Sequence, residues 1–274
     1  MKLYKEQDYR ILSESDQLEY EKVKESEKIS PFTSGILSEI SVNKFHEYPK
    51  AARHNIHLFP NNYLDMVELQ NHDKIKFMHN EFKDLLDKKP TEQETLNFIN
   101  NNEHYFIIAS LFSYYNFGHH EAYLFKEFQL NTTYRTDYLL VGKGSGGYQF
   151  VFIELESPSN NPFKQHGTEL SQYYQNGINQ VKNWERLLQQ QFPSLQSKFT
   201  EARKRAGNLP SEFINSDNSR RHYVVVAGRR EHYEQNPDAS YAIRRYEEQT
   251  SGIKLLHYDN LLDLTKRLIG KKTF

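Results

Sequence analysis

Cysteine is absent from the 274 residues, which excludes disulfide bonds, thiolate metal sites and a cysteine nucleophile. Also missing is any apolar run near the length of a membrane span, and the opening Met-Lys-Leu-Tyr-Lys-Glu-Gln-Asp lacks the apolar core of a signal peptide. A soluble, cytoplasmic protein without membrane contact is therefore expected. Charge of one sign is lacking too: 26% of residues are charged, yet the formal net charge is −1. No global basic field attracts nucleic acid, so any such surface must be local. Repeats and low-complexity tracts do not occur. Aromatic side chains are plentiful, 19 Tyr and 18 Phe, and read as core and surface filling in a chain poor in Val and Ala. This length buries a full core, and one domain with a modest extension is the expectation.

The most informative stretch runs from Tyr134 to Pro158. Two runs rich in β-branched and aromatic residues, Thr136 to Val141 and Tyr148 to Glu156, flank a Gly-rich turn, the pattern of a β-hairpin. The second run is apolar on both faces and reads as a buried central strand. Into it the sequence places Glu154 and Glu156, which share a face because strand side chains alternate, roughly 6 to 7 Å apart along the chain. With the turn centred on Ser145-Gly146, Gly144 pairs with Gly147 and Asp137 falls opposite Glu154. A one-residue bulge in the turn would move Asp137 to the other face. Three acids on one patch repel each other and are costly to bury, and a hard cation such as Mg²⁺ is the usual remedy.

The pattern Arg135-x-Asp137, a Gly-rich turn, then Ile153-Glu154-Leu155-Glu156-x-Pro158 resembles the Shedu antiphage nucleases, a branch of the PD-(D/E)XK superfamily. The resemblance implies an α/β fold with a mixed sheet, a restriction-endonuclease-like core carrying an N-terminal extension. It also implies a metal-dependent DNA endonuclease in defence against phage, with Mg²⁺ or Mn²⁺ as cofactor, self-association into a homo-oligomer and a phage-derived trigger. Asp137 and Glu154 match the two acids, with the Leu155 carbonyl a further metal ligand by analogy. Glu156 stands where the superfamily has a lysine. Either it binds a second metal, or a cation arrives from Lys164, Lys182 or Lys143, with Lys164 preferred, or the site binds without cutting. Glu92, followed by Phe98, fits the glutamate and aromatic on the family's first helix, although a carboxylate favoured by a helix dipole explains it nearly as well. Gln180-x-x-x-Trp184 resembles the Gln-x-x-x-Tyr motif that braces the active site in RecB-like members.

Elsewhere the text is plainer. Residues 1 to about 30 are a charged arm or short helix. Gly35-Ile36-Leu37 and Ile56-His57-Leu58-Phe59 read as short strands. Asn61 to Leu86 has helical spacing that Lys88-Lys89-Pro90 ends. A boundary there makes residues 1–90 an accessory region and 91–274 the nuclease-like domain, with the resemblance spanning Thr91 to Leu268. Thr91 is a good N-cap, with Glu92 and Glu94 in the first turn. Tyr123 to Gln129 reads as the first strand of the sheet. A helix is expected from Thr168 to Gln191, then a loop or helical insertion from Phe192 to Arg221. A strand follows over His222 to Ala227, a helix over Ser240 to Gln249, a strand over Ile253 to Tyr258, and a last helix capped by Asp259-Asn260. Strand, helix, strand implies a right-handed parallel crossover.

Phosphate contacts are expected from Arg135, on the face of Asp137, from Arg229 at a strand end, and from the basic run Arg203-Lys204-Arg205. From Phe199 onward there are fourteen Lys and Arg against ten Asp and Glu, a net of +4. His104, His119 and His120 read as surface residues rather than a metal site, and a ββα-metal nuclease on His54-Asn55-x-His57 lacks the strand pair and helix it needs. A glycosidase would place its two acids in an open cleft rather than a buried hairpin. Two functions from different classes remain: the DNA endonuclease, and a catalytically silent DNA-binding or oligomeric sensor.

Overall fold

Short turns connect the apolar runs in the middle of the chain, so these runs pair as neighbours in the sheet. The computed structural model describes residues 2–29, 40–164, 169–204 and 208–274. It begins with helix α1 (Glu14–Ser26), capped by the Ser13 hydroxyl accepting from the Asp16 N–H, with no buried side chain. Strands β1 (Lys28–Ile29) and β2 (Ile40–Ser41) form a small antiparallel pair. Helices α2 (Lys50–Asn55), α3 (Met66–Leu69) and α4 (His72–Asp87) follow. The helical stretch expected from Asn61 is therefore divided. Asp65 caps α3 by accepting from the Val67 N–H, and Asn71 caps α4 by accepting from the Lys74 N–H.

The expected strand at Ile56–Phe59 is instead the end of α2 and a turn. Its backbone groups find partners outside any ladder: the Ile56 N–H donates to the Ala52 carbonyl and the Leu58 N–H to the Tyr123 hydroxyl at 3.1 Å. The other expected strand, Gly35-Ile36-Leu37, lies outside the described residues. His104 is not a surface residue. It is buried, bonded to Glu81 at 2.8 Å and packed edge-on against Phe98.

Next come α5 (Glu92–Asn101), with a reciprocal cap between Thr91 and Glu94, and α6 (Phe106–Ala109). Strands β3 (Glu121–Gln129), β4 (Arg135–Gly144) and β5 (Gly147–Leu155) form an antiparallel meander. The turn between β4 and β5 pairs Gly144 with Gly147, as expected, and Gly147 has φ +92, which glycine adopts without strain. A short hairpin follows, β6 (Phe163–Lys164) with β7 (Glu169–Leu170). Helix α7 (Gln172–Gln191) starts later than expected, capped by Ser171, and Thr168 lies outside the described residues. Then come α8 (Gln196–Ala202), β8 (Arg221–Val226), α9 (Arg230–Glu234), α10 (Pro237–Ser251), β9 (Ile253–Leu256) and α11 (Tyr258–Leu268).

The central sheet has the order β3-β4-β5-β8-β9, and β8 and β9 add in parallel to β5. It is a mixed sheet with helices against it, the α/β class expected. Helix α7 packs on β5 and β8 through its buried face of Tyr174, Ile178, Val181, Trp184 and Leu188. Helix α11 packs on α4 and α6. Apolar side chains from both sides of residue 90 belong to one continuous core. Phe59 packs on Phe125, Phe199 and Phe213, and Phe82 lies with its ring centre 6.5 Å from that of Tyr258.

Candidate functional site

Acids arrive at one place from three elements: Glu92 from the first turn of α5, Asp137 from β4, and Glu154 and Glu156 from the end of β5. The hairpin runs without a slipped residue from Gly144–Gly147 to Tyr138–Ile153. One more step of that register sets Asp137 against Glu154. The Leu155 N–H donates to the Asp137 Oδ2 at 2.7 Å. At this level β5 is also paired on its other edge, Glu154 with Val225 and Leu155 with Val226 of β8, so the acids sit where the sheet is doubly closed.

Glu154 is buried. Its Oε1 accepts from the Gln180 Nε2 at 2.6 Å, while Oε2 is buried and has no hydrogen-bond partner among the described residues. Burial, and then the charges of Asp137, Glu156 and Glu92, push its carboxyl well above the usual range. Asp137 is pushed up to about 7, chiefly by burial and then by Glu92, with the Leu155 N–H acting in the opposite direction. Glu156 is pushed up to about 7 by burial, Glu92 and Asp137, and Glu92 is raised by burial. Four carboxylates thus share one poorly solvated space.

Glu156 is fixed more by its backbone than by its carboxylate. Its N–H donates to the Val226 carbonyl at 2.8 Å, and its own carbonyl accepts from the Tyr258 hydroxyl at 2.7 Å. Its side chain lies against Gly177 of α7, where a Cβ would stand 2.6 Å from Oε1. Among the described residues no group of three His, Cys, Asp or Glu side chains is disposed to hold a metal ion by itself.

The family model described as Shedu protein SduA, C-terminal, matches residues 89–262. The chain belongs to the Shedu family. No curated protein matches it. The Shedu segment contains Glu92, Asp137, Glu154, Glu156 and Gln180, and it also contains Gly177 and Tyr258, which hold the same site together.

Around this Shedu site the expected cations are placed unevenly. Lys143 pairs with Glu121 at 3.1 Å near the turn of the hairpin, and Lys182 pairs with Glu247 at 3.0 Å, so both are engaged with carboxylates outside the cluster. Lys164 is exposed on β6 with Glu169 as its register partner. Arg135 is exposed, within 3.1 Å of the Glu127 Oε1, and with Gln129, Thr133, Tyr134 and Gln180 it lines an open cleft of about 480 Å³. Gln180 both lines that cleft and holds Glu154, so one side chain links the cleft wall to the acids.

Arg229 is differently employed. Its guanidinium grips Asp259 through two hydrogen bonds of 3.0 and 2.9 Å and donates a third to the Leu86 carbonyl at 2.9 Å. Its fork is filled by the fold rather than turned to a ligand. Lys204 donates to the Asn55 Oδ1 at 2.6 Å and its backbone N–H to the Leu58 carbonyl, so it ties the end of α8 to the N-terminal region. Arg203 is half-buried at the end of α8, and Arg205 lies outside the described residues.

Two residues of the site and one beside it carried no expected role. Tyr258 stands in a His-Tyr-Asp-Asn corner that resembles family text, a usable signal with no role attached. Gly177 is a glycine inside a long helix, a type of position that marks close approach of another group. Glu127 carries no sequence signal: it has φ 49° inside β3, a backbone state that a glutamate rarely adopts.

Proposed function

We propose that this Shedu chain is a metal-dependent DNA endonuclease that cuts or nicks phosphodiester bonds in defence against phage, with Mg²⁺ or Mn²⁺ as cofactor. The observation that carries this reading is the convergence of Glu92, Asp137, Glu154 and Glu156 at a buried strand end, with Gln180 holding Glu154. Carboxylates so crowded are unfavourable alone and become favourable around a hard cation.

The donor set fits such an ion. Mg²⁺ takes one or two carboxylates and keeps several waters, so it does not need a cage of three acids. Asp137 and Glu154 would hold it, with the Leu155 carbonyl, and the Glu154 Oε2, unpartnered among the described residues, is an oxygen for that purpose. A bound ion supplies a Lewis acid for a phosphoryl oxygen and lowers the pKa of its water. The chain's own groups do the rest. Gln180 fixes the rotamer of Glu154, and the Leu155 N–H fixes Asp137. Glu156, with its carboxyl at about 7, is suited to take a proton near neutral pH. Arg135 offers its guanidinium to a phosphate in the adjoining cleft. DNA binding is accompanied by self-association into a homo-oligomer, and a phage-derived trigger sets the timing.

The test is a supercoiled plasmid incubated with Mg²⁺, with Mn²⁺ and with EDTA. Nicked or linear product in the first two alone is expected, and no product from any DNA form with either metal would end the nuclease reading. A specific observation favours a second reading, a silent DNA-binding or oligomeric sensor: Glu156 occupies the lysine position, and Lys143 and Lys182 pair elsewhere. Under that reading the wild type is inert and Glu156→Lys gains cleavage.

A further inference from the structure

Glu127 lies next to the acids without belonging to them. On β3, the pairs Lys126–Tyr138 and Phe128–Thr136 bracket it, so Glu127 occupies the register position across from Asp137. Its charge reaches Asp137 and adds to the pressure against ionisation there. A strand residue at that place normally has φ near −120° to −140°, but Glu127 has φ 49°. This is an unfavourable state for a side chain with a Cβ, and such states persist where the surroundings enforce them, often at functional sites. The carboxylate meets the Arg135 guanidinium at 3.1 Å, with both side chains about half exposed at 56%. Arg135 lines the cleft that Gln180 joins to Glu154.

We propose that Glu127 is a stand-in anion for Arg135: it holds the guanidinium at the mouth of the cleft until a DNA phosphate replaces the carboxylate. The chemistry supports exchange. A single exposed ion pair is worth little in water, so leaving it costs little. A DNA phosphodiester offers the guanidinium the same forked acceptor geometry and the same single charge, and a duplex brings many such groups to the cleft at once. Because one guanidinium cannot face both anions at once, Glu127 competes with the phosphate for Arg135, and weakly held anions do not displace it. Glu127 thereby determines how strongly a DNA must bind before its backbone enters the cleft. This rests on the reading of the cleft as a DNA site, and its test separates the two.

The full chain is titrated with a fluorescently labelled DNA duplex in EDTA, where no cleavage can occur, as wild type, Glu127→Gln, Arg135→Gln and the double variant. Glu127→Gln is expected to tighten binding about three- to tenfold and Arg135→Gln to weaken it. The double variant is expected to match Arg135→Gln, because without the guanidinium there is nothing for Glu127 to occupy. A gain from Glu127→Gln that persists in the double variant would overturn the proposal, since it would be only the loss of one negative charge. Equal binding by wild type and Glu127→Gln would overturn it as well. Arg135→Gln binding as tightly as wild type would overturn the exchange while leaving DNA binding intact. Absence of DNA binding by all four proteins would instead overturn the DNA reading and the exchange with it. A Glu127→Gly variant guards against misfolding: it removes both the carboxylate and the Cβ, so it should bind like Glu127→Gln and melt at a higher temperature than wild type.

Discussion

A methyl group at Gly177 would stand 2.6 Å from the Glu156 Oε1 and 2.9 Å from its Cγ, inside van der Waals contact. The atoms it meets belong to a flexible side chain, so Glu156 would turn away rather than the helix moving. Alanine also stabilises a helix interior by about 0.5 to 1 kcal/mol over glycine. Gly177→Ala is therefore expected to melt at or above the wild-type temperature while metal-dependent cleavage falls by roughly ten- to a hundredfold. Calorimetry and the plasmid assay, run on one preparation, check both halves. Asp137→Ala and Glu154→Ala are expected to abolish cleavage with the fold intact, because each relieves repulsion in the metal-free site. Glu156 discriminates more finely. If it serves the chemistry, Glu156→Ala loses cleavage and Glu156→Lys restores some; rates for both near wild type would show a carboxylate with no part in the reaction.

Strands β4 and β5 make the acid cluster a property of the hairpin, and its titration should be visible in stability. Unfolded carboxyls titrate near 4, whereas Asp137 and Glu156 titrate at about 7 in the fold and Glu154 is raised as well. Between about pH 4 and about pH 7 the folded chain therefore binds more protons than the unfolded one, and stability must fall as pH rises through that window. In EDTA, the melting temperature of wild type is expected to decline from about pH 5 to about pH 8 more steeply than that of Asp137→Asn. Added Mg²⁺ should raise it more at the upper end, where the acids are ionised. Parallel slopes for the two proteins would show that the cluster is not the source. The hairpin register was legible in the sequence because it depends on local facts, the Gly144–Gly147 turn and strand alternation. The turn at Ile56–Phe59 was not, since the Leu58 N–H is satisfied by Tyr123, far along the chain. The bonds of Arg229 to Asp259 and Leu86 were out of the sequence's reach for the same reason, since they depend on where β8, α11 and α4 come together.

Across the whole molecule, residues 2–90 and the Shedu segment share apolar contacts that neither part would leave exposed. Phe59, Tyr63, Leu64 and Phe82 are buried, and the Leu64 N–H donates to the Ala122 carbonyl of β3. A fragment of residues 91–274 is therefore expected to be insoluble or partly unfolded, and a sharp far-ultraviolet melt from such a fragment would contradict this. Light scattering of the full chain at micromolar concentration tests self-association, with a monomeric mass as the contrary result.

The order β3-β4-β5-β8-β9 has a consequence in time as well as in space. The first three strands meet through short turns, but β8 must return across α7 and α8 before it reaches β5, and closing so long a loop is slow. Until then β5 is an open edge with apolar side chains on both faces, and Glu154 lacks both Val225 beside it and the settled α7 that presents Gln180. During synthesis the acids are thus made early and armed late. A ribosome-bound chain that has not yet finished β8 carries the carboxylates but not the arrangement that Val225 and Gln180 give them.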